Sequence, residues 1–188
     1  MSAPAGREPV LPLVFIGPMA AGKSKIGRLV ARGLDVPFRD TDKLVSAVHG
    51  PIPEIFAAHG ESEFRRLERA AVHDALAEEA VVALGGGAVL DAATQAELAG
   101  HTVVLLTVSR EAVGRRLSGG RPLLDSDGDA DAAVERWAAI AAARTPIYES
   151  LATVTFDTSA RPISHIADDI VTWARQRGLG KEREAQRD

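Results

Sequence analysis

Five short apolar runs separate longer stretches of helical periodicity along this chain. The runs fall at 13–17, 37–40, 81–85, 102–108 and 153–156. The middle ones carry almost no polar residues, as strands buried on both faces of a parallel sheet do. Helical spacing of apolar residues fills most of 23–34, 61–79, 109–118, 131–148 and 163–177. Strand–helix alternation of this kind predicts an α/β fold, with a parallel sheet covered by helices on both faces. One stretch breaks the rhythm. Ser118-Gly119-Gly120-Arg121-Pro122, continuing through Asp125-Ser126-Asp127-Gly128-Asp129, is glycine-rich, acidic and poor in apolar residues. It predicts a mobile surface loop, of use as a water-excluding lid if the chain handles an activated group. The ends, 1–10 and 179–188, are expected to fray, leaving a single domain over 11–178.

Composition narrows the class. A chain of 188 residues can bury one full core and is short for two ordinary domains. A net charge of −4 gives no general attraction to nucleic acid or anionic membrane, so any phosphate affinity must be local. Without cysteine there is neither a disulfide nor a thiolate metal site. No 18-residue apolar stretch and no signal-peptide core are present, so a soluble cytoplasmic protein is expected.

One octapeptide supplies the local affinity. Gly17-Pro18-Met19-Ala20-Ala21-Gly22-Lys23-Ser24 fits G-x-x-x-x-G-K-[ST], between a strand and a helix. Such a loop wraps nucleotide phosphates with backbone N–H groups, and the helix N-terminus adds partial positive charge. Lys23 would reach the β- and γ-phosphates, and the Ser24 hydroxyl would ligate Mg²⁺. A plain turn would need neither residue.

Other residues gather chemistry around it. Asp40-Thr41-Asp42 ends the second predicted strand, where open α/β sheets bind ligands. Its two carboxylates are expected on one side of the strand end, one near a metal and the other beside a hydroxyl. Phe56, Gly60, Glu61, Phe64, Arg65 and Glu68 put a cation beside an apolar wall, with Glu61 four residues from Arg65. Gly85-Gly86-Gly87 closes the third strand, and three glycines there suggest close approach of a ligand to the main chain. Arg121 lies in the expected lid and Arg144 late in an alanine-rich helix. Each of these, apart from the loop, also has an ordinary structural reading: a solvated turn, a surface ion pair, a flexible hinge.

Taken in order, the motifs resemble shikimate kinase over about residues 12–175. The resemblance implies a three-layer P-loop kinase fold of the nucleoside-monophosphate-kinase type, with a five-stranded parallel sheet and a mobile lid. It implies ATP-dependent phosphorylation of the 3-hydroxyl of shikimate, with Mg²⁺, by a monomer that engages neither nucleic acid nor membrane. By the same resemblance Lys23, Asp42 and Arg121 are catalytic, and Ser24 and Asp40 (through water) hold the metal. ATP falls to Gly17, Ala20, Ala21, Gly22, Lys23, Ser24, Lys25, Arg116, Arg121, Arg161 and Pro162. Shikimate falls to Asp42, Phe56, Phe64, Arg65, Gly85, Gly86, Gly87 and Arg144, with Arg65 and Arg144 gripping its carboxylate.

The chain also departs from the family pattern. Ala20 replaces a usual loop glycine, at a cost of about 1 kcal/mol if the backbone there needs positive φ. Lys25 replaces a threonine, and both the turn at Gly50-Pro51-Ile52 and the lid look short. The alternatives are a gluconate-type kinase of the same fold and a non-catalytic nucleotide-binding module. The pair Arg65 and Arg144 argues against the first, and the retention of Lys23, Asp40 and Asp42 against the second.

Overall fold

A computed structural model describes residues 10–118 and 130–179. The expected lid with Arg121, and nearly all of both ends, lie outside the described residues. In chain order the elements are β1 (Leu13–Ile16), α1 (Lys23–Leu34), β2 (Phe38–Asp40), α2 (Thr41–His49), α3 (Ile52–Leu76) and β3 (Val81–Ala83). A short 3₁₀ turn follows, then α4 (Ala92–Leu98), β4 (Thr102–Thr107), α5 (Arg110–Ser118), α6 (Ala130–Leu151), β5 (Val154–Asp157) and α7 (Ile163–Gln176).

The five strands form one sheet in the order β2-β3-β1-β4-β5, and every pair is parallel. Side chains alternate across the pleat, so each strand feeds two cores. Leu13, Phe15, Val81, Ala83, Val104 and Leu106 face α1 and α7, where Ile26, Val30, Ile166 and Ile170 meet them. Val14, Ile16, Val82, Val103 and Leu105 face the opposite layer, against Val72 of α3, Leu98 of α4 and Tyr148 of α6. Complete burial of these strands explains why they read as unbroken apolar runs; a fully buried aliphatic side chain contributes about 1.5–3 kcal/mol. β5 lies at the sheet edge, and its burial alternates.

The order places a switch point at β1. The chain leaves β1 toward β2 and β3 on one side, then crosses to β4 and β5 on the other. Loops diverge there, which opens a crevice at the carboxyl ends of the strands.

Two local details differ from expectation. Asp40 and Asp42 do not share a strand. Asp40 ends β2 and caps α2, accepting from Lys43 N–H at 3.4 Å, while Asp42 sits in the first helical turn. The helix expected over 61–79 begins at Ile52 and bends at Gly60, which has φ 78° and ψ 176°.

The phosphate loop shows why its glycines are there and what its alanine costs. At Gly17 φ is 135°, and a Cβ would sit 2.2 Å from the Leu106 carbonyl oxygen of β4. Ala20 is left-handed, with φ 63°, so the positive φ posed as a condition is met. The steric cost for an alanine is about 1–2 kcal/mol.

Candidate functional site

Parallel register brings the chemistry to one level of the sheet. Ala83 of β3 pairs with Phe15 of β1 and with Asp40 of β2. One residue beyond, Thr41 is fully buried. Its hydroxyl donates to the Ala83 carbonyl at 3.4 Å and accepts from Gly85 N–H at 3.0 Å. This stitch joins the start of α2 to the glycine segment. A cavity of about 430 Å³ opens above it, lined by Ala20, Gly22, Lys23, Ser24 and Lys25 from the loop region and by Asp40, Asp42, Gly86 and Arg116.

Lys23 is the electrostatic centre. Its ammonium donates to the carbonyls of Gly17 at 2.7 Å and Pro18 at 2.9 Å. Burial pulls its pKa down to about 8, with Arg144 acting the same way and Asp42 and Asp40 opposing. Asp42 moves in the other direction. Burial and the neighbouring Asp40 push its carboxyl above the ordinary value, against the pull of Lys23 and Arg65. A carboxyl pKa raised in this way makes the carboxylate form a stronger base.

The triple glycine is enclosed by charged groups. A Cβ on Gly85 would lie 2.5 Å from Asp42 Oδ1 and 2.6 Å from Glu68 Oε1, and one on Gly87 would lie 2.6 Å from Arg65 Nη1. Three side chains therefore close on this backbone at distances where an added methyl group would have to displace a carboxylate or a guanidinium. Arg65 is held by Glu68 at 2.6 Å and Glu61 at 3.2 Å, so its guanidinium is fixed before any ligand arrives. Arg144 Nη1 donates to the Gly86 carbonyl at 3.1 Å, and the buried Tyr148 hydroxyl donates to the same oxygen at 2.6 Å. The two guanidiniums thus sit against consecutive glycines, Arg144 at Gly86 and Arg65 at Gly87.

The apolar wall is present beside them. Phe56, 38% exposed, stacks on the buried Phe64 with ring centroids 4.7 Å apart. Arg116 reaches back from α5 to donate to the carbonyls of Ala20 and Thr158. The guanidinium of Arg161 pairs with Asp169 of α7, and Ile163, beyond Pro162, lines the cavity.

Two further residues matter that the sequence reading left without a role. Glu68 is 4% exposed and holds Arg65. Burial raises its pKa, while Arg65 works to keep it ionised. Its place three residues after Arg65 was the available signal. Tyr148, four residues after Arg144, supports the same carbonyl as that arginine.

A family model described as Shikimate kinase matches residues 19–175. The chain belongs to the shikimate kinase family. The shikimate kinase of Streptomyces coelicolor is 44% identical over 153 residues, covering 79% of this chain and 86% of that protein. The shikimate kinase of Mycobacterium avium is 45% identical over 152 residues, covering 79% and 84%. Among solved structures, shikimate kinase from Acinetobacter baumannii in complex with shikimate superposes with a TM-score of 0.78. It is 29% identical, and the match covers 89% of this chain and 94% of that one. Membership in the shikimate kinase family makes the chain an ATP-dependent kinase of the P-loop fold and displaces both alternatives.

Proposed function

We propose that this chain transfers the γ-phosphoryl group of ATP to the 3-hydroxyl of shikimate, with the residues of the crevice in the following roles. The loop backbone of Gly17 and 20–22 cradles the phosphates, with Lys23 on the β- and γ-oxygens and Lys25 at the rim. Arg116, Pro162 and the backbone of Arg161 border the adenine. Arg121, outside the described residues, takes the role of a charge stabiliser on the transferring group. Arg65 and Arg144 grip the shikimate carboxylate as paired forks. Phe56 and Phe64 cover the ring, and the backbone of 85–87 forms the pocket floor.

The carrying observation is convergence. Asp42, Glu68 and Arg65 close on Gly85 and Gly87, Arg144 holds the glycine between them, and Asp42 shares a cavity with Lys23. An acid bound at its carboxylate end by the two arginines has its ring hydroxyls directed toward Asp42. Asp42 accepts the 3-hydroxyl proton as the oxygen bonds to phosphorus and the bond to the ADP oxygen breaks. Lys23 meets charge on the transferring oxygens. Most of the acceleration comes from positioning and charge stabilisation.

The donor set suits Mg²⁺. Ser24 and Asp40 offer hard oxygen atoms on the same cavity as Lys23. Among the described residues no group of three or more His, Cys, Asp or Glu forms a protein-only cage. Mg²⁺ takes few protein ligands and keeps phosphate and water oxygens. Held by Ser24 directly and Asp40 through water, it would neutralise charge on the β- and γ-phosphates. The same reading takes the protein as a cytoplasmic monomer; among the described residues no helix is long and apolar enough to cross a membrane.

ADP release from ATP with a panel of acids tests the proposal. Turnover is expected with shikimate and not with gluconate, and Asp42→Asn is expected to abolish it while ATP still binds. Equal turnover with gluconate, or strong residual activity in the variant, would refute the assignment.

A further inference from the structure

Ala20 adopts a conformation that alanine does not favour by itself, and the structure shows what restrains it. Rotation about φ of Ala20 swings the peptide plane that carries the Met19 carbonyl. Rotation about ψ swings the plane that carries its own carbonyl. Both carbonyls are tied. The indole N–H of Trp137, on α6, donates to Met19 O at 3.0 Å. Arg116 Nη1, on α5, donates to Ala20 O. Each of the two soft dihedrals of this residue is therefore restrained by a side chain about a hundred positions away in sequence.

Trp137 is 8% exposed, so water competes little for its N–H. A cavity of about 80 Å³, lined in part by Pro18, Leu105, Trp137 and Tyr148, lies against the loop. Beside that space, the two hydrogen bonds bear directly on the peptide planes on either side of Ala20. The next residues, Ala21 to Ser24, carry the N–H groups assigned to the phosphates. A flip at Ala20 would turn that backbone out of register with its ligand.

We propose that Trp137 is a positioning residue for the nucleotide, which together with Arg116 clamps Ala20 in its left-handed form and so preshapes the phosphate loop. This inference rests on the reading of that loop as the ATP phosphate site. ATP binding to the unaltered protein without shikimate, measured by calorimetry, tests that reading separately.

The test of the clamp is Trp137→Phe, which keeps an aromatic ring while removing the donor and part of the indole volume. The ATP dissociation constant is expected to rise about five- to tenfold, the loss typical of one hydrogen bond. The KM for shikimate and kcat at saturating ATP should stay within twofold. Adding Ala20→Gly to this variant is expected to bring ATP affinity back toward the original value, because glycine holds positive φ without help. An ATP dissociation constant within twofold of the unaltered protein, or a rise that Ala20→Gly does not relieve, would overturn the proposal.

If Trp137→Phe fails to fold, Trp173→Phe leaves Trp137 as the sole indole fluorophore of the chain. Its emission is expected to be blue-shifted and poorly quenched by acrylamide already in the free protein, and a solvent-exposed spectrum that becomes buried only when ADP is added would equally overturn the clamp.

Discussion

Gly85→Ala tests the geometry of the reacting centre with a single methyl group. The added Cβ would lie 2.5 Å from Asp42 Oδ1 and 2.6 Å from Glu68 Oε1, whereas ordinary contacts begin near 3.4 Å. Each carboxylate must therefore retreat by about 0.8–0.9 Å, or the backbone must shift by a similar amount. Retreat is hindered on both sides. Glu68 is held to Arg65 at 2.6 Å, and Asp42 lies in the first turn of α2, whose start is tied to this segment through Thr41. A misplacement near 1 Å at a reacting group costs on the order of 100-fold in rate. Overpacking of this kind also destabilises by about 1–3 kcal/mol, which a melting curve will show. The expected signature is kcat lowered about 100-fold, a raised KM for shikimate, and an ATP dissociation constant unchanged, since the added methyl points away from the phosphate loop toward α2 and α3. A folded variant with kcat within threefold of the unaltered protein would refute the placement of Asp42 and Glu68 at the reacting centre. Weakened ATP binding would instead mean that the glycine segment shapes the nucleotide site.

Two further outcomes follow from the same site. Because burial pulls the Lys23 pKa down to about 8, its positive charge is present below that pH and lost above it. ATP affinity of the free protein is therefore expected to fall as pH rises through about 8, approaching tenfold per pH unit, and calorimetric titration showing a flat profile from pH 7 to 9.5 would contradict this. Tyr148→Phe removes one of the two donors to the Gly86 carbonyl. It is expected to raise the KM for shikimate about fivefold, the equivalent of one neutral hydrogen bond, and a shift in the KM for ATP of the same size would place the tyrosine elsewhere in the mechanism.

The elements that were legible in the sequence were those whose environment is uniform. β1, β3 and β4 are buried along nearly their whole length, so their apolar runs stood out. The helices α1 and α7 each press one stripe on the sheet, and their periodicity was plain. What escaped was shaped by punctuation and by tertiary contact. Gly50-Pro51 and the bend at Gly60 cut α2 and the front of α3 into pieces too short for periodicity to register. The seven residues of α4 are mostly small and carry little pattern.

The candidate site divides along the same line. The phosphate loop was legible because its glycines, lysine and serine answer to chemistry local to one turn. The pairing of Asp40 with Asp42 was seen, but across a strand–helix junction rather than along one strand. The burial of Glu68 and the support that Tyr148 gives to Gly86 depend on which helices face each other, and spacing alone does not carry that. The capping of Met19 and Ala20 by Trp137 and Arg116 spans about a hundred residues and leaves no local trace. Arg161 shows the converse, since its position was suggestive while its guanidinium is engaged by Asp169.

The central claim is that two fixed guanidiniums beside the triple glycine select a carboxylate. It is tested most directly by comparing kcat/KM for shikimate with that for its analogue bearing –CH₂OH in place of the carboxylate. The protein is expected to prefer shikimate by about 30- to 150-fold, as loss of a charged hydrogen-bond partner of about 2–3 kcal/mol implies, and Arg144→Ala should narrow that gap to tenfold or less. An unaltered protein indifferent to the carboxylate, or an Arg144→Ala variant that keeps the full preference, would contradict the account.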